Sequence, residues 1–142
     1  MKIGKTIKYP RLVVDASVVV KWFVKEDGTA KALELLDGIL SGDVVIYAPE
    51  LLLYEVGNVL FKGKNFSEIQ IAEGLELVDS CGLRLEQLSV PLMEMAADFM
   101  AQYKITFYDA AYVALAYSMH IPLVSCDVKG HKKIKEVEVV EL

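Results

Sequence analysis

The stretch Leu12-Val13-Val14-Asp15-Ala16-Ser17-Val18-Val19-Val20-Lys21-Trp22-Phe23-Val24 decides how the chain is read. Its first three residues form a short aliphatic run of the length expected for a buried strand. Asp15 ends that run. Residues 16–24 are β-like by propensity, but their length and the residues after them suit a helix packed on a sheet. A strand closed by an acid and leading into a helix is the start of a βα unit.

Working outward, the same alternation continues. Apolar residues at 30, 32–33, 35–36 and 39–40 give a helical period over 29–40, which Gly42 stops. Val44-Val45-Ile46 reads as a second strand, and Pro49 opens a helix over 50–62 that ends near Gly63. Ser67 caps a helix over 68–80 that keeps Glu68, Glu73 and Glu76 outside. Leu83 and Leu85, alternating with Arg84 and Glu86, suggest a short strand. Ser89 and Pro91 start a helix to about residue 103, and Thr106 starts another to about His120. Pro122 to Ser125 and Val137 to Val140 read as the last two strands. Strands alternating with helices predict an α/β fold with a parallel sheet covered on both faces. Ligands of such sheets bind beyond the carboxyl ends of the strands.

The 142 residues suit a single domain spanning 1–142, and 54% hydrophobic with 25% charged residues excludes a disordered chain. Mean hydropathy is +0.38, so much apolar surface is expected to lie in a core or an oligomer interface. No apolar run approaches the ~20 residues of a membrane helix. The basic start, Met1 to Lys8, leads into a stretch that Arg11 and Asp15 break, so no signal peptide is read and the cytoplasm is expected. Two cysteines, Cys81 and Cys126, and two histidines, His120 and His131, provide neither a disulfide framework nor a His/Cys zinc site. Phosphate-binding glycine loops and a serine nucleophile elbow are absent from the sequence. Chemistry must then come from carboxylates.

Four carboxylates stand out. Asp15 and Asp127 each end a strand, and parallel strands send both to one rim. The plain alternative for each is an N-cap. Asp109 stands three residues after Thr106 at capping-box spacing, which explains it structurally without removing it from the same rim. Glu55 lies inside Leu51-Leu52-Leu53-Tyr54-Glu55-Val56-Gly57-Asn58-Val59-Leu60, a helix with little room for a solvent face. It shares a face with Asn58. A lone buried carboxylate costs several kcal/mol unless it is paired or bound to a metal. The alternative is a narrow polar stripe open to water. Only Lys21, Lys104 and Lys129 offer local cationic partners. Clustered carboxylates with few cations suit a hard divalent ion such as Mg²⁺. Such an ion can activate water against a phosphodiester.

These segments resemble the PIN-domain family, in particular its VapC-like ribonucleases. Val14-Asp15-Ala16-Ser17-Val18, with Lys21-Trp22 just after it, is similar to the family's opening motif. The stretches Ala48 to Leu60, Thr106 to Ala116 and Pro122 to Asp127 are similar to its second, third and fourth, in that order. The resemblance implies a three-layer α/β/α PIN-like fold with a central parallel sheet of about five strands. It also implies a metal-dependent endoribonuclease using Mg²⁺ or Mn²⁺, a VapB-like antitoxin partner and a homodimer. The acids carried over as catalytic and metal-binding are Asp15, Glu55, Asp109 and Asp127, with Ser17 and Thr106 in support. Asn58 matches a recurrent asparagine. Ser125 stands where threonine is usual. Residues 1–10 are a basic extension ahead of the first motif.

A net charge of −5 runs against RNA binding, yet the four acids account for four of the five excess charges. Basic residues cluster at Lys62 and Lys64, and at Lys129, Lys132, Lys133 and Lys135, so weak RNA affinity with metal-centred positioning is expected. Tyr108, Tyr112 and Trp22 could stack bases, although their spacing reads as core. Neither histidine has an evident place as a general base, which leaves that work to a carboxylate or to the metal. The alternative reading is a non-catalytic PIN-like domain that binds RNA or protein. A signalling receiver ranks last, because Asp15 has no adjacent acid.

Overall fold

In the computed structural model, which describes residues 8–128, 131 and 133–142, the aliphatic run becomes β1 (Arg11–Val14) at the centre of a five-stranded sheet. Leu12, Val13 and Val14 are fully buried, as a strand covered on both faces requires. The remaining strands are β2 (Val45–Pro49), β3 (Arg84–Glu86), β4 (Leu123–Ser125) and β5 (Val139–Glu141). The sheet order is β3-β2-β1-β4-β5, and every neighbouring pair is parallel. Most of the basic extension at residues 1–10 lies outside the described residues, as do Lys129 and Lys132.

The helices are α1 (Ala16–Val20), α2 (Thr29–Ser41), α3 (Leu51–Lys64), α4 (Glu68–Ser80), α5 (Val90–Tyr103) and α6 (Phe107–Met119). The chain steps outward from β1 to β3 and then returns past β1 to β4. Right-handed crossovers therefore send α1–α4 and α5–α6 to opposite faces, which gives the expected three layers. Packing agrees: α3 lies against α1 and α4, whereas α5 lies against α6. From Ala110 to Ala116 every residue of α6 is buried, because that helix is sandwiched between sheet and α5. Helix ends obey local chemistry. Gly42 adopts φ 79° to stop α2, Ser67 and Gln70 form a reciprocal capping box on α4, and Ser89 caps α5 ahead of Pro91.

Several boundaries differ from the sequence expectation. The helix predicted over 16–24 ends at Val20, and the next residues tighten into turns through Lys21 N→Val18 O and Trp22 N→Val19 O hydrogen bonds. Trp22 Nε1 then donates to Ala32 O at 2.8 Å and holds the turn against α2. The second strand starts at Val45 rather than Val44, whose N–H is spent on Gly38 O at the end of α2. Pro49 is the last residue of that strand instead of the first of the helix, a strand end being where its missing N–H is tolerated. The last strand likewise runs 139–141 rather than 137–140. Among the described residues no helix is long and apolar enough to cross a membrane.

Candidate active site

The sheet order reverses between β1 and β4, and that reversal leaves a crevice beyond their carboxyl ends. Asp15 leaves β1 there as the N-cap of α1. Its Oδ1 accepts from the Ser17 N–H at 3.1 Å and from the Ser17 hydroxyl, and its Oδ2 accepts from the Ser125 hydroxyl. Both serines also bind the chain just past β4. Ser17 Oγ accepts from the Cys126 N–H at 2.9 Å, and Ser125 Oγ accepts from the Asp127 N–H at 3.0 Å. Capping and presentation at the rim are thus done by one side chain. Asp15 is only 8% exposed and Ser125 not at all.

Asp127 lies just past β4 with an exposed side chain, and no helix begins at it among the described residues, so the N-cap reading fails there. Asp109 sits in the first turn of α6, where Thr106 Oγ1 accepts its N–H at 3.0 Å. Among the described hydrogen bonds the Asp109 carboxylate does not close the capping box back onto Thr106. Glu55 rises from α3, half-buried, and its Oε1 accepts from the Tyr112 hydroxyl at 2.7 Å. Burial raises the Glu55 carboxyl above its ordinary range; the Tyr112 hydrogen bond opposes this, and the nearby Asp109 and Asp15 charges add to it. Burial, reinforced by Glu55, pushes the Tyr112 phenol far up as well, so it remains a donor.

All four acids line one cavity of about 460 Å³, together with Ser17, Lys21, Glu26, Lys64, Tyr112, Cys126 and His131. Both lysines are engaged by Glu26, at 3.0 Å from Lys21 and 2.8 Å from Lys64. Those two bonds hold Glu26 below the usual carboxylate range. Thr106 is not part of the lining and acts only through the Asp109 backbone. Asn58, despite its spacing from Glu55, opens on a second cavity with Tyr54 and Asp79. Lys104 ends α5 in the left-handed region, away from the cavity, and Lys129 lies outside the described residues. Of the aromatic candidates, Tyr112 is core, Trp22 is tied to α2, and Tyr108 is 62% exposed.

Neither histidine has an evident place as a general base in the sequence, yet the structure sets His131 beside the acids. It is 3% exposed, lines the cavity and places Nε2 3.7 Å from Asp15 Oδ2, while its buried Nδ1 has no hydrogen-bond partner among the described residues. Burial pulls its pKa down, but the Asp15 carboxylate, with Asp109 and Asp127 behind it, outweighs that and raises it. A signal was present in the sequence. Val128, His131 and Ile134 recur every three residues and are all buried, joined by two successive backbone turns.

The donor set can be weighed against a divalent ion. Among the described residues no three acid, histidine or cysteine side chains stand together closely enough to hold a metal ion by themselves. Zinc of structural type needs a closed cage of such side chains, and burial keeps the Cys126 thiol protonated. Mg²⁺ instead uses one or two carboxylates and retains water, which suits an open cavity ringed by hard oxygen donors.

Comparison with known proteins agrees with this architecture. The family model described as PIN domain matches residues 12–137. Ribonuclease VapC1 of Mycobacterium tuberculosis is 31% identical over 118 residues, covering 81% of this chain and 84% of the relative. The fold is similar to that of VapBC2 from Rickettsia felis, solved bound to a DNA fragment from its promoter (TM-score 0.72, 17% identity, 93% of this chain and 98% of that one). It is also similar to VapC20 of Mycobacterium tuberculosis, a sarcin-ricin loop cleaving toxin (TM-score 0.69, 17% identity, 89% of this chain and 98% of that one).

Proposed function

Because the chain belongs to the PIN-domain family, we propose that it is a VapC-like endoribonuclease, the toxin of a toxin–antitoxin pair, acting on RNA phosphodiester bonds with Mg²⁺ or Mn²⁺. The observation that carries this reading is the arrival of Asp15, Glu55, Asp109 and Asp127 from four separate segments at one cavity whose two lysines are already bound to Glu26. Such a surface repels a phosphodiester unless a cation intervenes. The ion supplies easier ionisation of water and charge compensation at the phosphoryl oxygens.

The chain's own residues set the stage. Asp15, gripped on both oxygens, is the fixed reference point. Glu55 and Asp109 face it from α3 and α6, and Asp127 closes the rim beyond β4. His131 backs Asp15, with its Nε2 3.7 Å from Asp15 Oδ2. A VapB-like antitoxin is the partner proposed for the chain, a homodimer its proposed state, and the cytoplasm its compartment. The test is cleavage of RNA by purified protein with Mg²⁺ or Mn²⁺, against the same reaction in excess chelator. Metal-dependent cleavage that Asp15→Asn abolishes is the expected result. Undiminished cleavage by that variant, or in chelator, overturns the assignment.

A further inference from the structure

We infer that Tyr112 is a positioning residue for this site: its buried hydroxyl fixes the Glu55 carboxylate across the gap between α6 and α3, so that Glu55 is aimed for a divalent cation. The inference rests on the metal-site reading above and goes one residue deeper.

Tyr112 is 1% exposed and sits in the all-buried stretch of α6. A hydroxyl in such a place must find an acceptor, and the acceptor is Glu55 Oε1, 57 residues away in the chain and on another helix. Among the described residues Oε2 of Glu55 accepts no hydrogen bond, which leaves that oxygen for the cavity that Glu55 lines. The two side chains differ in stiffness. The phenol has two torsions, both locked by packing, whereas the glutamate has three and loses more entropy when held in one pose. Asp15, by contrast, takes three hydrogen bonds from two serines. The orientation of Glu55 hangs on one bond.

Tyr112→Phe removes the oxygen and keeps the ring, so α6 stays packed. Calorimetric titration of the apoprotein with Mn²⁺ reads the site without RNA. For Tyr112→Phe the expected result is an affinity loss of about tenfold, the usual scale for a group that orients a ligand. In a Glu55→Gln background the same substitution is expected to cost nothing further in Mn²⁺ affinity, because the two act as one unit. In cleavage assays the variant should lose kcat at fixed Mn²⁺ and keep its KM for RNA. Mn²⁺ affinity unchanged in Tyr112→Phe while Asp15→Asn loses it overturns the role of Tyr112 alone, leaving a merely structural hydroxyl. Mn²⁺ affinity unchanged in both variants overturns the metal-site reading and this inference with it.

Discussion

On the β1–β4 side of the cavity, Asp15 is held on both oxygens by Ser17 and Ser125, and those serines are themselves tied to the Cys126 and Asp127 amides. On the α3–α6 side, Glu55 has one phenolic donor, and the hydrogen bond at Asp109 goes to its backbone rather than its carboxylate. The first turn of α1 and the chain past β4 carry unspent amides that fix Asp15 and its two serines. Glu55 sits in a helix interior, whose amides are consumed within the helix. In the proposed site the β1–β4 half is thus the more firmly held, and the α3–α6 half the less. This contrast separates removal of a charge from removal of its support.

Removing charge has the largest effect. Asp15→Asn, Glu55→Gln and Asp109→Asn are each expected to lower RNA cleavage by more than about 100-fold, beyond the usual range for a merely supporting group. Asp127→Asn should retain some activity, since that carboxylate is exposed and can act through water. Single-turnover cleavage at saturating Mg²⁺ provides the ranking. An Asp127 variant weaker than the Asp15 variant would reverse the proposed hierarchy.

Removing support is the next step down. Ser125→Ala removes a fully buried hydroxyl that donates to Asp15 Oδ2 and accepts from the Asp127 N–H. The expected cost is about 1–3 kcal/mol of stability, with cleavage reduced roughly 10–100-fold. Thr106→Ala is the matched control on the helix side. It loses an N-cap worth about 1 kcal/mol and should change cleavage little, because among the described hydrogen bonds the Thr106 side chain reaches the Asp109 backbone and not its carboxylate. Denaturant melts paired with cleavage assays separate the two. Equal activity losses in Ser125→Ala and Thr106→Ala would remove the distinction between the two halves.

The more firmly held half is also the more legible half. A run such as Leu12 to Val14 ended by an acid, and a second such run ending at Asp127, announce strand ends on a common rim without any knowledge of contacts. Caps at Ser67, Ser89 and Thr106 are local chemistry and appear where the sequence puts them. Partners of the helix-borne acid are not local. Tyr112 looks like any core aromatic in an apolar run, and nothing within its own helix points to Glu55, 57 residues earlier. His131 is harder to read because its spacing of three from Val128 and Ile134 matches neither the 3.6 of an α-helix nor the 2 of a strand. The end of α1 is hard to read for a different reason. Just past Val20 the chain is held by the Trp22 bond to Ala32 O, a tertiary contact that propensity does not carry.

The smallest effect expected is a change in how metal-free stability varies with pH. Burial, then the charges of Asp109 and Asp15, hold the Glu55 carboxyl above its ordinary value of 4.5, against the pull of Tyr112. The folded state therefore binds a proton that the unfolded chain has released, so this group's contribution is intact below 4.5 and is lost as pH rises through the raised folded value. Asp109→Asn removes one of the raising charges. Well above the imidazole range, the metal-free variant should melt higher than metal-free wild type. At lower pH the advantage shrinks, since Asp109 also favours the charged His131 and the substitution gives up that attraction. Cation binding stabilises both proteins but favours the wild type. At a hundredfold excess over Kd the wild type gains about 2.7 kcal/mol, and a variant that binds tenfold more weakly gains about half as much at the same concentration. Calorimetric melts at one pH, with and without Mn²⁺, measure both differences. Identical metal-induced shifts in the two proteins would mean that Asp109 does not belong to a shared cation site.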